Sequence, residues 1–234
     1  MITLYEFDDQ QSQSNALAKA VGDALQVSLT AQAASAAKGP GHVTLAVSGG
    51  SSPRPFLQTL STQPFDWARI AVTLVDDRWV AETDSASNAR FVREALLQHA
   101  ASSAVFWPLV DTAQALDAHV AALNADPARL LPDIAVLGMG EDGHTASIFA
   151  DSPEWDDAIT TTAHFIAVHP GSAQHARVSL SLSALKRIDH LFLLIAGPRK
   201  RDVLKAATST LQRNAISQLA HASEAQLNVY WSAN

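Results

Sequence analysis

Short apolar runs alternate along this chain with longer stretches whose apolar positions recur at helical spacing. TLYEF (3–7), HVTLAVS (42–48), IAVTLVD (70–76), DIAVLGMG (133–140), FIAVH (165–169), HLFLLIAG (190–197) and LNVYW (227–231) are short and rich in branched aliphatic residues. They predict strands, and VFWPLV near 105–110 is a further candidate. DIAVLGMG is apolar at consecutive positions, the mark of a strand buried on both faces. Between these runs the spacing predicts helices over 15–37, 53–60, 87–99, 113–125 and 199–211. KGPGH (38–42) is the stop for the first of them. The segment Pro153-Glu154-Trp155-Asp156-Asp157 reads as a surface connection between two halves.

Strands alternating with helices imply an α/β fold of three layers, with a mostly parallel sheet covered by helices on both faces. Right-handed crossovers are expected between parallel neighbours. No internal repeat and no low-complexity linker interrupts the pattern, so 1–234 is expected to form one domain. The apolar content of 47 % against 17 % charged residues excludes a disordered chain. A formal charge of −7 gives no general nucleic-acid footprint, although a few arginines can reverse the field inside a cleft. There is no cysteine, which removes disulfides, thiolate catalysis and cysteine-held metals. The first residues lack both a basic start and a long apolar core, and no apolar run approaches the ~20 residues of a membrane span. The expectation is a cytoplasmic protein with no membrane partner, either a monomer or a small homo-oligomer.

Open parallel sheets bind ligands beyond the C-terminal ends of their strands. Four segments are predicted there. SGGSSPRP (48–55) offers Ser48, Gly49, Gly50 and Ser51 ahead of a helix, where hydroxyls and amides can meet an anion. It fits neither dinucleotide nor nucleoside-triphosphate glycine patterns. In DDRWV, Asp76, Asp77 and Arg78 follow a strand. Arg78 is a candidate either for holding an anion or for an internal ion pair. Asn88 is either a helix cap or a site residue. GMGEDGHTASIF (138–149) places His144 as a general base, with Asp142 or Glu141 to orient it, and its last residues are expected to open a helix. Arg177 in ARVSLS and Lys200 in GPRKR add positive charge later in the chain. No HExxH pattern is present, and the remaining histidines are scattered, so no metal site is expected.

On GMGEDGHTASIF, SGGSSP, DDRWV with its later Ser-Asn, and RVSLS, the sequence resembles the 6-phosphogluconolactonase family. That family shares its fold with glucosamine-6-phosphate deaminase/isomerase. The resemblance covers nearly the whole chain. It implies a Rossmann-like α/β enzyme with no cofactor that hydrolyses 6-phosphoglucono-1,5-lactone to 6-phosphogluconate in the pentose phosphate pathway. It implies that His144 is the base, and it matches Arg78, Arg177 and Lys200 to the family's conserved cations and Ser48, Gly49, Gly50 and Ser51 to its serine–glycine loop. Asp142 is expected to fix the His144 tautomer, and Asp76 to lie at the substrate.

The chain departs from the family pattern in places. The middle acid of D-E-R is Asp77, R-x-T is Arg177-Val178-Ser179, and Ala150 and Ala215 stand where the family has proline. No charged candidate is lost. The deaminase relatives carry D-E-Y and DGHIAFNEP instead, and Arg78 and Thr145-Ala146-Ser147-Ile148-Phe149 both depart from them. A non-catalytic sugar-phosphate binder is the other alternative, one that would not need acid–base chemistry at His144.

Overall fold

The computed structural model describes residues 1–34 and 41–234. Its strands and helices, in chain order, are β1 (Ile2–Phe7), α1 (Gln10–Ala34), β2 (Val43–Val47), α2 (Arg54–Ser61), β3 (Ile70–Leu74), β4 (Asp76–Arg78), α3 (Asn88–Ala95), β5 (Val105–Phe106), α4 (Leu116–Ala125), β6 (Ile134–Leu137), α5 (Trp155–Thr160), β7 (Phe165–Val168), β8 (Arg177–Leu180), α6 (Leu182–Lys186), β9 (His190–Ala196), α7 (Pro198–Ser209), α8 (Ala215–Ala220) and β10 (Leu227–Ser232). Among the described residues no helix is long and apolar enough to cross a membrane.

The central sheet runs β1-β10-β9-β6-β2-β3-β5, and its neighbours are all parallel. Every residue of β2, β3 and β6 is buried, because helices cover both faces. This is a three-layer, Rossmann-like α/β fold. Buried apolar side chains from Leu17 in α1 to Trp231 in β10 form one contiguous cluster. In α1 the buried positions Leu17, Val21, Ala24 and Leu25 follow the helical period, so one stripe faces the sheet.

The order of strands decides where a ligand can enter. After β2 the chain crosses to β3 on one side, and after β6 it continues toward β9 on the other. The loops leaving β2 and β6 therefore diverge at adjacent strand ends and open a crevice between them.

Several expectations need correction. FIAVH is a strand, but it belongs to a second, antiparallel sheet of order β4-β8-β7 rather than to the parallel one. RVSLS supplies the middle strand of that sheet. Helix α1 begins at Gln10, five residues earlier than its apolar spacing indicated, because Asp9 caps it through the Ser12 amide at 2.8 Å. Its predicted end at 37 and the start of the KGPGH stop lie outside the described residues. The predicted surface connection 153–157 carries the start of α5, and Trp155 is buried there. In VFWPLV only Val105 and Phe106 pair as strand, and Pro108, which has no amide to donate, follows the break.

Candidate active site

A cleft of about 300 Å³ lies in the crevice between the ends of β2 and β6. Nine of the ten candidate site residues line it: Ser48, Gly49, Gly50, Ser51, Asp76, Arg78, His144, Arg177 and Lys200. The tenth, Asp142, stands behind His144. Ser52, Asn88, Met139, Ala146 and Leu194 complete much of the wall.

Asp142 Oδ1 lies 2.6 Å from His144 Nδ1. Burial would raise the Asp142 carboxyl, but the hydrogen bond and charge of His144 outweigh it and hold it below its ordinary value. An ionised carboxylate only accepts, so His144 Nδ1 carries the proton and Nε2 keeps its lone pair. That is the tautomer a general base needs. Glu141, the other acid considered, turns outward and pairs with Arg199.

Glycines permit this geometry. Gly143 has φ +81°, which turns the chain between Asp142 and His144. A Cβ on Gly140 would lie 2.3 Å from the His144 ring and 2.4 Å from Asp142 Oδ1. Gly140→Ala is therefore expected to displace the Asp142–His144 pair and, if His144 is the base, to lower kcat about 10- to 100-fold, as an ångström-scale misplacement does. Steady-state kinetics with a circular-dichroism check of folding tests this.

Beyond His144 no helix opens. Residues 145–148 make a tight turn closed by a Thr145–Ile148 bridge, with Ala146 at φ +47°, and Thr145 Oγ1 donates to Gly138 O. This turn returns Phe149 onto His144, with ring centroids 4.1 Å apart and planes 26° apart.

The small sheet sorts the DDR segment by strand alternation. Asp76 and Arg78 point to one face, and Asp77 points to the other. On that second face Asp77 accepts hydrogen bonds from the Arg78, Asn88 and Ala89 amides. Burial raises its carboxyl to about 6, against the lowering effect of those amides. Asp77 therefore anchors the start of α3, with Ser87 as the N-cap. Asn88 is not the cap. Its Nδ2 donates to Asp76 O and its side chain borders the cleft.

On the cleft face Arg78 and Arg177 are direct cross-strand partners. Two like charges opposite each other are unfavourable unless something offsets them. Asp76 offsets part: its Oδ2 lies 3.7 Å from Arg177 Nη1, and Ser147 Oγ donates to it between the two. Burial lowers the Arg177 pKa, and Asp76 partly restores it. Arg78 donates to Ala86 O and has no carboxylate partner among the described residues; Lys200 has none either. Of the two alternatives for Arg78, the internal ion pair is therefore not formed among the described residues. The cleft holds three cations against one buried carboxylate, a surplus suited to an anion.

The hydroxyl of Ser48 is engaged elsewhere. It donates to Val136 O and accepts from Gly138 N, tying the β2 and β6 loops together. Ser51 is exposed at the rim. Among the described residues no three His, Cys, Asp or Glu side chains converge as a metal site.

Residues 13–231 match the family described as glucosamine-6-phosphate isomerases/6-phosphogluconolactonase. The chain belongs to that family. Its relatives in the glucosamine-6-phosphate isomerase/6-phosphogluconolactonase family include a 6-phosphogluconolactonase of Neisseria meningitidis, 38 % identical over 212 residues that cover 88 % of each chain. Another, from Pseudomonas putida, is 38 % identical over 237 residues, covering 98 % of this chain and 93 % of that one. The crystal structure of a 6-phosphogluconolactonase from Shewanella baltica superposes with a TM-score of 0.88 at 34 % identity, covering 100 % of this chain and 98 % of the other.

Asn88, Ser147 and Phe149 were not marked as site residues by the sequence, or only as alternatives. Ser147 and Phe149 lie within the 138–149 segment, but nothing local in the sequence gives them partners. Only the turn at 145–148 and the approach of β4 and β8 bring them to the charged groups.

Proposed function

We infer that this chain is a 6-phosphogluconolactonase, a single α/β domain that hydrolyses 6-phospho-D-glucono-1,5-lactone to 6-phospho-D-gluconate. The observation that carries the reading is one cleft holding a carboxylate-oriented imidazole beside cations in excess of acids. The first suits ester hydrolysis, and the second suits a phosphorylated substrate. Relatives with the same name along nearly the whole chain support it. We place the reaction in the cytoplasm, within the pentose phosphate pathway.

In this reading His144 Nε2 takes a proton from water as the water oxygen bonds to C1 of the lactone. The carbonyl oxygen becomes an oxyanion, met by amides of the 138–140 loop or by an arginine. The C1–O5 bond then breaks, and the imidazolium returns its proton to O5. The carboxylic acid product ionises and releases one proton to solvent. Asp142 keeps the imidazole in its tautomer and stabilises the transient imidazolium, the role the aspartate has in a Ser-His-Asp triad. Arg177, Lys200 and the serine–glycine loop hold the 6-phosphate, and Arg78 and Asp76 border the sugar. No covalent nucleophile is needed, and no G-x-S-x-G elbow is present.

Proton release from freshly made 6-phosphogluconolactone, corrected for spontaneous hydrolysis, tests the activity. Ammonia release from glucosamine-6-phosphate is run beside it. Release of ammonia without lactone hydrolysis would overturn the reading in favour of the deaminase branch. Binding of 6-phosphogluconate with neither reaction would mark a sugar-phosphate binder.

Lys200 gives a gentler test of substrate charge, since it is half-buried at the start of α7 with no acid to leave unpaired. Lys200→Ala is expected to raise KM for the phosphorylated lactone about 3- to 10-fold with kcat little changed, the loss of one charge-assisted contact. Initial rates at two ionic strengths check this, and the effect shrinks at high salt.

A further inference from the structure

Phe149 is a buried ring that borders both the imidazole and a cation of the cleft. Its face stacks on His144 at 4.1 Å between centroids, and the Arg177 guanidinium carbon lies 5.2 Å from the same ring centre. A phenyl ring that only filled space could meet the imidazole at any angle. Here the planes are within 26°. The π face therefore lies against the plane of the base, while Asp142 fixes its edge. Two constraints at right angles, an edge hydrogen bond and a face stack, define the direction of Nε2.

The stack also differs between ground and transition states. Neutral imidazole gains dispersion on a phenyl face. Imidazolium gains the attraction of the ring quadrupole for a cation as well. An interaction that strengthens as the base takes its proton lowers the barrier rather than merely tightening binding.

We propose that Phe149 is a positioning residue for the base, holding the His144 ring plane and favouring its protonated form as the water is deprotonated. The proposal rests on the reading of His144 as the base. Other charged groups also bear on that imidazole: Asp142 on its own loop, Asp76 and Arg78 on β4, Arg177 on β8 and Lys200 on α7. A test must therefore change the ring face and leave those groups in place.

Replacing Phe149 with 3,4,5-trifluorophenylalanine nearly keeps its shape and weakens the negative face. The expected result is a His144 pKa lowered by about half a unit in an NMR titration of its ring protons, the size of a modest cation–π contact. The acid limb of kcat/KM should move down by the same amount. Phe149→Leu removes the face altogether and is expected to lower kcat about 5- to 20-fold with a smaller change in KM, through lost orientation. Phe149→Tyr, which keeps a ring, is expected to recover most of that loss. A His144 titration unchanged by fluorination would overturn the proposal, as would a Leu variant that loses only thermal stability. The NMR titration needs no substrate. If it shifts while the lactonase assay shows no turnover, the functional reading fails and the ring contact stands.

Discussion

His144→Ala is expected to lower kcat on 6-phosphogluconolactone by about 10²- to 10⁴-fold, the usual contribution of a positioned base. The fold should survive. The His144 side chain is partly exposed and its partner Asp142 more so, and an ion pair at that exposure contributes at most about 1 kcal/mol. Loss of activity without loss of the folded circular-dichroism spectrum would therefore report chemistry rather than collapse. The pH profile should change in a defined way. Activity needs neutral His144, so wild-type kcat/KM is expected to carry an acid limb that belongs to this imidazole. Asp142 is held below its ordinary carboxylate value by its hydrogen bond to His144, so it adds no second limb near neutral pH. In the alanine variant the acid limb should vanish, and added imidazole should restore part of the rate. Near-wild-type turnover in His144→Ala would sink the assignment of the base.

Arg177→Ala carries the second large expectation, on KM rather than kcat. If the proposed contact of Arg177 with the phosphate is made, removing the guanidinium should raise KM for the phosphorylated lactone about 10- to 150-fold, the range for hydrogen bonds to a charged group. Hydrolysis of unphosphorylated gluconolactone should hardly change. The comparison of two substrates matters because Arg177 is also buried beside Asp76. Its loss strands a buried carboxylate and is expected to lower thermal stability as well. A stability defect reduces the folded fraction for both substrates alike, whereas a phosphate contact affects one. Equal losses on the two would reject the phosphate role. Arg177→Lys keeps the charge without the planar fork, and it should fall between wild type and alanine.

Much of the fold was legible because a strand buried on both faces has little freedom in composition. The runs at 43–47, 70–74, 134–137 and 190–196 are apolar at nearly every position, and all four entered the parallel sheet. The second sheet was not legible as such. Its strands are three or four residues long, and Asp76, Asp77 and Arg78 carry no apolar period to announce one. The pairing of β4 with β8 joins residues about a hundred positions apart, which no local window records. Asn88 stayed ambiguous between a cap and a site residue because its partners, Asp76 and Asp77, are reached only once the loop before α3 folds back on β4.

The candidate residues divide along the same line. A histidine two positions from an aspartate, among glycines after a buried strand, already specifies a local pair, since a short loop with positive φ at Gly143 brings them together. The sequence by itself therefore determined the layered α/β class, the strand ends that border the cleft, and the identity of the oriented imidazole. Tertiary structure alone decided the rest. It set Arg78 opposite Arg177 and sent Asp77 to the far face of the same strand. It also placed Ser147 between Asp76 and Arg177 and laid Phe149 over His144. The physical reason is distance along the chain. Local periodicity and turn chemistry act over a few residues, whereas the balance of charge in the cleft is summed over segments that meet only once the two sheets have packed.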